Sequence, residues 1–190
     1  MNKNESGLQV HLLHEMFTVT EDGRLFWKQR PSSHFMQSVK RSAEHICANW
    51  NARYAGTEAI AHVAPYGHKT GRINDRLFYA HRIVWAMHTG MWPENEIDHI
   101  NGDPADNRIE NLRDVSHKQN LRNQGMPSNN TSGVVGVRFY RPRSKWTASI
   151  GVDGKFIHLG YYDTKDKAIA ARLEANARHG FHENHGRQAA

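Results

Sequence analysis

The stretch Glu96–Arg113, "EIDHINGDPADNRIENLR", decides how the middle of the chain folds. "EIDHI" predicts a short strand, "NGDPADNR" a loop dense in Asn, Asp, Gly and Pro, and "IENLRDV" a returning strand. Ser116 and Gln119 then have the spacing of a capping box, which predicts a helix from about His117 to Gln124. We therefore expect a strand–loop–strand–helix unit here.

The polar side chains of this unit suit metal-assisted hydrolysis of a phosphodiester. Asp98 and His99 end the first strand, and Asn120 lies in the helix. Oxygen ligands hold a cation such as Mg²⁺, and a neighbouring neutral imidazole accepts a proton from the attacking water. Because adjacent strand residues normally point to opposite faces, Asp98 and His99 share a site only if the strand ends or bends at the loop.

The run from "DHINGDPADNRIENLR" to "HKQN", with "YAHRIVW" and "WPE" before it, resembles the HNH nucleases with a ββα-metal fold, particularly phage homing endonucleases. The three name-giving positions fall at His99, Asn111 and Asn120. The resemblance implies His99 as the general base, Asp98 and Asn120 as ligands of Mg²⁺ or alternatively Mn²⁺, and Asn111 as the residue that holds the loop. Asn rather than His at the third position favours an oxygen-preferring cation over Zn²⁺.

Other polar residues of the segment have competing interpretations. His117 begins the same helix and is the alternative to Asn120 as a ligand. His81 and Arg82 either touch the site or belong to a helix that docks on it. Arg108, Arg113 and Arg122 are phosphate contacts or solvated charges. Turn formation alone accounts for Asn101 and Asp106, with Asn107 as a further candidate, and the tail residues His179, His182 and His185 lie in an irregular segment not expected to bind metal.

The N-terminal half predicts two hairpins, with turns at Asp22–Gly23 and Asn74–Asp75, and an apolar-stripe helix from Ala80 that ends at Gly90. Residues 29–51 have only a weak pattern. The aromatic side chains of this half favour a core over base stacking: Trp27, Trp50, Tyr54 and Trp85.

The C-terminal segment predicts three strands, "GVVGVRFY", "KWTASIGV" and "KFIHLGYY", followed by an Ala-rich helix over 165–179 capped by Thr164. Alternation along the first strand turns Val135, Val137 and Phe139 to the core and Arg138 and Tyr140 outward. This segment resembles the APETALA or ethylene-response-factor DNA-binding domain in "GVR", "KWTASI" and "LGYYDT". The resemblance implies a DNA-binding face that contains Arg138, Arg141, Arg143, Lys145, Trp146 and Lys155. The alternative is a basic sheet that binds protein.

Charge and composition agree with a DNA-binding protein. The net charge is +6 at a sequence pI of about 9.6, and residues 131–190 carry 10 Lys or Arg against 5 Asp or Glu. This balance favours a polyanionic partner, although a basic solubilising surface explains it as well. The single cysteine, Cys47, excludes an internal disulfide and multi-cysteine zinc sites. The sequence shows neither a signal peptide nor an apolar run of membrane length, so we expect a cytoplasmic location and no membrane partner.

We therefore predict an α+β protein with a central ββα-metal nuclease unit, a β-rich N-terminal region and a C-terminal three-stranded antiparallel sheet packed on one helix. The predicted divisions are an N-terminal region at 1–66, an HNH domain at 67–125 with its core at 96–124, a linker at 126–132 and a DNA-binding domain at 133–185. The predicted activity is metal-dependent cleavage of double-stranded DNA, with no protein partner. The alternatives are a noncatalytic DNA-binding regulator and, less favoured by the C-terminal segment, an RNA nuclease.

Overall fold

The computed structural model describes residues 5, 7–121, 126, 129–182, 185 and 186. It is a mixed helix-and-sheet structure with several small antiparallel sheets. The chain forms two compact units, Met1–Val115 and Ser116–Ala190, and each is described by itself below. The boundary predicted between residues 66 and 67 has no counterpart in this division, which instead divides the predicted nuclease domain after Val115.

The first sheet of the N-terminal unit follows a short helix, α1 (Val10–Met16), and contains β1 (Phe17–Val19), β2 (Leu25–Trp27) and β3 (Glu58–Ala59) in the order β1-β2-β3. The predicted turn at Asp22–Gly23 joins β1 to β2, where Gly23 has a φ of +75°.

Helix α2 (Ala43–Tyr54) lies within the region of weak sequence pattern. Its N-terminus is capped by Ser42, whose hydroxyl accepts a hydrogen bond from the His45 amide, and none of its residues is buried. A helix without a buried face has no apolar periodicity, so the sequence pattern does not predict it.

The second sheet contains β4 (His62–Val63), β5 (Lys69–Ile73) and β6 (Arg76–Tyr79), also antiparallel and in chain order. Asn74 and Asp75 form the predicted β5–β6 turn, both with positive φ. Strand β6 leads directly into α3 (Ala80–Thr89), which ends at Gly90 as predicted.

Strands β7 (Glu96–His99) and β8 (Leu112–Val115) pair antiparallel across the loop that the opening stretch predicts. Residues 109–111, expected to begin the returning strand, form a 3-10 turn instead. This turn moves Asn111 out of the strand and into the loop.

One hydrophobic core holds the N-terminal unit together. It combines residues of α1, the first hairpin, the second sheet, α3 and the β7–β8 pair, so the predicted N-terminal region and the first part of the nuclease segment share it. Trp27 and Trp85 pack against this core, in agreement with their predicted role, and Trp50 stacks edge-on against Trp27. The most deeply buried residues of this core include Leu13, Phe17, Leu25, Ile83 and Ala86.

The C-terminal unit begins with α4 (His117–Leu121), and residues 122–124 of the predicted helix lie outside the described residues. The predicted capping box is present: the Gln119 amide donates to the Ser116 hydroxyl, and the Ser116 amide donates to the Gln119 side chain. The predicted sheet follows as β9 (Val137–Tyr140), β10 (Lys145–Val152) and β11 (Lys155–Tyr162), in the order β11-β10-β9, and α5 (Lys165–Arg178) completes the unit.

Helix α5 packs on one face of this sheet through Ala168 and Ala175, which are buried as small residues at a close helix–sheet contact should be. Val137 faces this core. Phe139, expected beside it, is 49% exposed because it lies near the end of the edge strand β9. Its ring contacts the Trp146 ring edge-on. Arg172 of α5 is buried, and its Nε donates to the Val135 carbonyl over 2.9 Å. No helix among the described residues is long and apolar enough to span a membrane.

Candidate active site

Strands β7 and β8 position the Asp-His pair. Asp98 is paired across the strands with Arg113, and His99 with Leu112. The Asp98 carboxylate is buried, and its Oδ2 accepts hydrogen bonds from Arg113 Nε at 2.8 Å and from Nη2 at 2.6 Å. Both charge-assisted bonds end on the same oxygen and hold Oδ2 against the guanidinium. Asp98 thus has a cationic partner on the neighbouring strand.

His99 is also buried, and its contacts differ from those of Asp98. Its Nε2 donates to Oδ1 of Asn107 over 3.1 Å. Asn107 is itself almost completely buried, at 1% exposure. The β1–β2 turn holds it there: a Cβ added at Gly23 would lie 2.2 Å from the Asn107 carbonyl carbon, so only glycine allows this approach. Asn107 therefore positions His99, although the sequence offered only a turn role for it.

The loop between the two strands is closed by carboxamide hydrogen bonds. Oδ1 of Asn111 accepts from the Asn101 amide at 2.9 Å, and its Nδ2 donates to the Asp106 carbonyl at 2.8 Å. Asn101 and Asp106 act as turn formers, as their residue types indicate, through contacts inside the loop. Hydrogen bonds from the Arg108 guanidinium lower the pKa of Asp106 to about 2, so this carboxylate stays charged at neutral pH.

Burial dominates the electrostatics of His99. Desolvation lowers the pKa of its imidazole below the ordinary value, and the hydrogen bond to Asn107 and the charge of Asp98 partly oppose this shift by raising it. The ring is therefore neutral at pH 7. A neutral imidazole whose Nε2 carries the proton keeps a lone pair on Nδ1, as a proton acceptor requires.

Two further histidines meet His99 from other elements. His68 follows the β4–β5 turn, and His81 lies in the first turn of α3. The ring centroids are 5.0 Å apart for His68 and His81, 5.1 Å for His81 and His99, and 5.5 Å for His68 and His99. Among the described residues these three form the only group of His, Cys, Asp or Glu side chains that converges closely enough to hold a metal ion.

Asn120 and His117, the two predicted alternatives for the helical ligand, both lie in α4 of the C-terminal unit. The Asn120 amide donates to the Ser116 carbonyl within that helix at 3.0 Å. Asp98, His99 and Asn111 belong to the N-terminal unit, so the structure brings these three together in one unit and assigns Asn120 to the other. The choice between Asn120 and His117 stays a prediction.

The C-terminal sheet presents an exposed face opposite α5. Arg138, Thr147 and Tyr161 lie side by side across its three strands. The Arg143 guanidinium stacks over the Tyr161 ring, 4.6 Å from its centroid, and His158 contacts the same ring at 4.6 Å. This face therefore combines exposed cations with aromatic rings.

The remaining residues expected at the DNA-binding face have different surroundings. Arg141 and Lys155 are exposed, and Lys145 forms an ion pair with Asp163 at 2.8 Å. Trp146 packs against the core that Val137 and Ala148 form with α5. Its ring therefore lies on the face opposite Arg138, and the Lys165 ammonium lies over the ring, 5.8 Å from its centroid.

Comparison with known proteins defines the class of the central segment. Residues 78–122 match the family model described as HNH endonuclease. The matched range includes Asp98, His99, Asn111 and Asn120, and it begins within β6. Residues 78–122 are thus similar to an HNH endonuclease domain, which supports a nuclease-type protein that acts on DNA.

A particular relative supports the same class. The chain is 36% identical over 76 residues to Protein 3.8 of Escherichia phage T7, an alignment that covers 40% of this chain and 63% of the relative. The chain therefore spans less than two thirds of that phage protein. No solved structure gives a significant match.

Sequence reasoning missed the neighbours of His99. Asn107 was indistinguishable from a turn residue because its side chain becomes important only once Gly23 closes over it. The sequence is compatible with either a site role or a helix-docking role for His81. The structure shows that His81 is buried and that its ring contacts the His99 ring. His68 carried no local pattern at all, since its approach to His99 depends on long-range packing.

Proposed function

We propose that the protein is a divalent-metal-dependent DNA endonuclease of the phage homing type that hydrolyses phosphodiester bonds. The observation that supports this most is His99: a buried, neutral imidazole at a strand end, oriented by Asn107, inside the segment that matches the HNH endonuclease family. A general base needs both a lone pair at neutral pH and a fixed direction, and this ring has both.

In this proposal His99 accepts the proton of the attacking water. Its Nε2–H bond to Asn107 supports Nδ1 as the nitrogen that accepts this proton. Asn111 acts on His99 indirectly, because its carboxamide fixes the loop that carries Asn107. Since a misplaced base loses rate steeply, the rigidity of this loop is part of the catalytic machinery.

Asp98 and Asn120 are proposed to hold the divalent cation, Mg²⁺ or alternatively Mn²⁺. Carboxylate and carboxamide oxygens are the donors these hard cations prefer, so the residue types fit. The contact of Asp98 Oδ2 with Arg113 is compatible with this, because a carboxylate has about four lone-pair directions. When bound, such an ion neutralises negative charge that develops at the scissile phosphate.

The C-terminal sheet is proposed to bind the DNA duplex. Arg138 and Arg143 are exposed on its outer face, and Arg141 and Lys155 add charge at its edges. Exposed cations neutralise phosphates, and a sheet that presents Arg side chains fits a DNA groove. Lys145 contributes once its ion pair with Asp163 opens, whereas Trp146 serves to pack the sheet on α5.

The test is cleavage of supercoiled plasmid by the full chain with Mg²⁺ or Mn²⁺, followed as nicked and linear products, with EDTA as the metal control. We expect His99→Ala to lose cleavage and to retain DNA binding in a gel-shift assay. His88→Ala is the matched control, because His88 is an exposed histidine of α3.

Cleavage that survives His99→Ala would remove His99 as the base. A wild-type protein that binds varied DNA and cuts none of it would favour the noncatalytic regulator. Parallel assays on matched DNA and RNA duplexes separate the DNA nuclease from the RNA nuclease.

A further inference from the structure

The three-histidine group differs chemically from the oxygen ligands proposed for the nuclease cation. His68, His81 and His99 come from the start of β5, the start of α3 and the end of β7, and one ring nitrogen of each lies within 4.8 Å of the other two. The group contains no carboxylate. It is therefore a nitrogen-only donor set, which suits borderline ions and not Mg²⁺.

Two of these histidines have buried nitrogens that hydrogen bonding leaves unsatisfied. Nδ1 of His68 and Nδ1 of His81 are both buried without a hydrogen-bond partner among the described residues. Leaving a buried polar atom unpaired destabilises a protein by about 1–3 kcal/mol, so a native structure that keeps two such atoms in neighbouring rings calls for an explanation. A shared metal ion satisfies both at once.

Outer contacts also prepare the rings for coordination. His99 donates one N–H to the side-chain carbonyl of Asn107, and the nearby Pro104 backbone raises the pKa of the His68 imidazole against the effect of burial. Pro104 packs directly on Gly67, the residue before His68. A Cβ added at Gly67 would lie 2.5 Å from Pro104 Cγ, so this close contact requires glycine. A carbonyl partner on one nitrogen directs the lone pair to the other, which is how histidine ligands are oriented around metals.

The protonation state of the three imidazoles and the distances between their ring nitrogens are compatible with a bound metal ion. Burial lowers the pKa of all three imidazoles, so the rings are in the neutral form that coordinates. Zinc–nitrogen bonds of about 2.0–2.1 Å place tetrahedral ligand atoms about 3.3 Å apart. Each nitrogen would move inward by less than about 1 Å, which small ring rotations provide. The negative charges of Asp98, Asp103 and Asp106, which act on His99 through space, favour a cation here.

We propose that His68, His81 and His99 form a second metal site, distinct in ligands from the Mg²⁺ site, that binds a Zn²⁺-class transition ion. Three protein nitrogens leave a fourth position for water or another ligand. Because His99 is a ligand here and is also the proposed base, an ion bound at this site takes the lone pair that the base uses. Zn²⁺ should therefore inhibit Mg²⁺-supported cleavage, a consequence that rests on the proposed nuclease function.

The binding test uses Co²⁺ as a spectroscopic probe on the full chain, freed of metal, without DNA and without Mg²⁺. We expect one Co²⁺ per chain with the strong visible absorption of a low-coordinate site, removed by added Zn²⁺ and unaffected by Mg²⁺. His68→Gln and His81→Gln should each weaken Co²⁺ binding by about tenfold or more.

Matched controls separate this site from the other histidines. His62→Gln changes an exposed residue of β4 near His68, and His88→Gln changes an exposed residue of α3, which carries His81. Both should bind Co²⁺ like the wild type, as should a variant with His179, His182 and His185 all changed to Gln. Far-UV circular dichroism checks folding, and if His81→Gln unfolds, the half-buried His68 still provides the test.

The outcomes are separable. Absence of the Co²⁺ signal in the wild type, or its persistence in folded His68→Gln, overturns the three-histidine site. Loss of the signal in His68→Gln with retention in the controls supports it, even if plasmid is never cut. In the plasmid cleavage experiment, the rate with Zn²⁺ is divided by the rate without Zn²⁺ for each protein. If His68→Gln has the same ratio as the wild type, the proposed inhibition through this site is overturned.

Discussion

Nε2 of His99 donates a hydrogen bond to Oδ1 of Asn107 over 3.1 Å, and both side chains are buried. This bond contributes twice to the proposed chemistry. It selects the ring nitrogen that carries the proton, and it raises the pKa of His99 against the lowering effect of burial. Asn107 is thus a positioning residue for the proposed base.

Replacing Asn107 should change the pH dependence of cleavage as well as its rate. Asn107→Ala should slow cleavage by roughly 10–100-fold and move the acid limb of the rate profile to lower pH, because the hydrogen bond that raises the His99 pKa is removed. Asn107→Asp should move that limb to higher pH, since a carboxylate favours the charged imidazole.

The measurement is the rate of plasmid nicking against pH. Glu110→Gln, an exposed change in the same loop, is the control and should leave the profile in place. Equal profiles for all four proteins would contradict the role of Asn107.

Removing Arg113 should make the fold depend on a divalent cation. Arg113→Met leaves the buried Asp98 carboxylate without its cationic partner, and we expect the metal-free protein to lose about 2 kcal/mol or more of unfolding free energy. If Asp98 binds the nuclease cation, Mg²⁺ should restore part of this loss.

The check is the melting temperature of wild type and variant with and without Mg²⁺. Arg108→Met removes a guanidinium from the more exposed pair with Asp106 and should respond to Mg²⁺ like the wild type. A Mg²⁺ response of Arg113→Met no larger than that of the wild type would exclude Asp98 as a ligand.

The metal-free protein should lose stability as the solution becomes acidic. Burial holds the pKa of His81 well below its ordinary value of 6.5, and the pKa values of His68 and His99 are lowered too. Below pH 6.5 the unfolded chain takes up protons that the folded chain does not, so stability is full above that pH and falls beneath it. His81 alone contributes a slope of up to about 1.4 kcal/mol per pH unit.

Urea unfolding in EDTA between pH 5 and 8 measures this dependence. His81→Phe keeps an aromatic ring at the position and should flatten the slope below pH 6.5 if it folds. An unchanged slope would show that the acid sensitivity arises elsewhere.

Removing charge from the outer sheet face should weaken DNA binding and reduce its salt dependence. Changing Arg138 and Arg143 together to Ala should lower the slope of log K against log salt by about 0.9 for each phosphate that the protein no longer neutralises. The matched control changes Lys40 and Arg41, two exposed cations of the N-terminal unit, to Ala. Equal salt slopes for the two double variants would contradict a dedicated DNA-binding face.

Much of the backbone could be predicted because its turns are specified by local residue types. Asp22–Gly23 and Asn74–Asp75 join strands as their residue types require, and Ser116 caps α4. The helix α2 could not be predicted, since it buries no residue and is held by its Ser42 cap and aromatic contacts at its edge.

The sequence predicts the motif residues of the candidate site but not their long-range contacts. Asp98 and His99 follow from a motif that is contiguous in the chain, and the family match includes them. The contacts of His99 with His68 and Asn107 depend on how distant turns pack, which no local pattern records. Buried polar groups with long-range partners, Arg172 among them, are therefore the features that only a three-dimensional structure supplies.

The two glycine turns that pack against the His99 loop make residues 78–122 dependent on the chain that precedes them. Gly23 covers Asn107 and Gly67 covers Pro104, so the loop is moulded by two hairpins that precede it in the chain. Residues 78–122, which match the HNH endonuclease model, therefore depend on contacts outside their own range. Recombination that transferred residues 78–122 alone to another protein would carry the motif without the two hairpins that pack on the loop of the proposed base, so a functional exchange must include both hairpins as well.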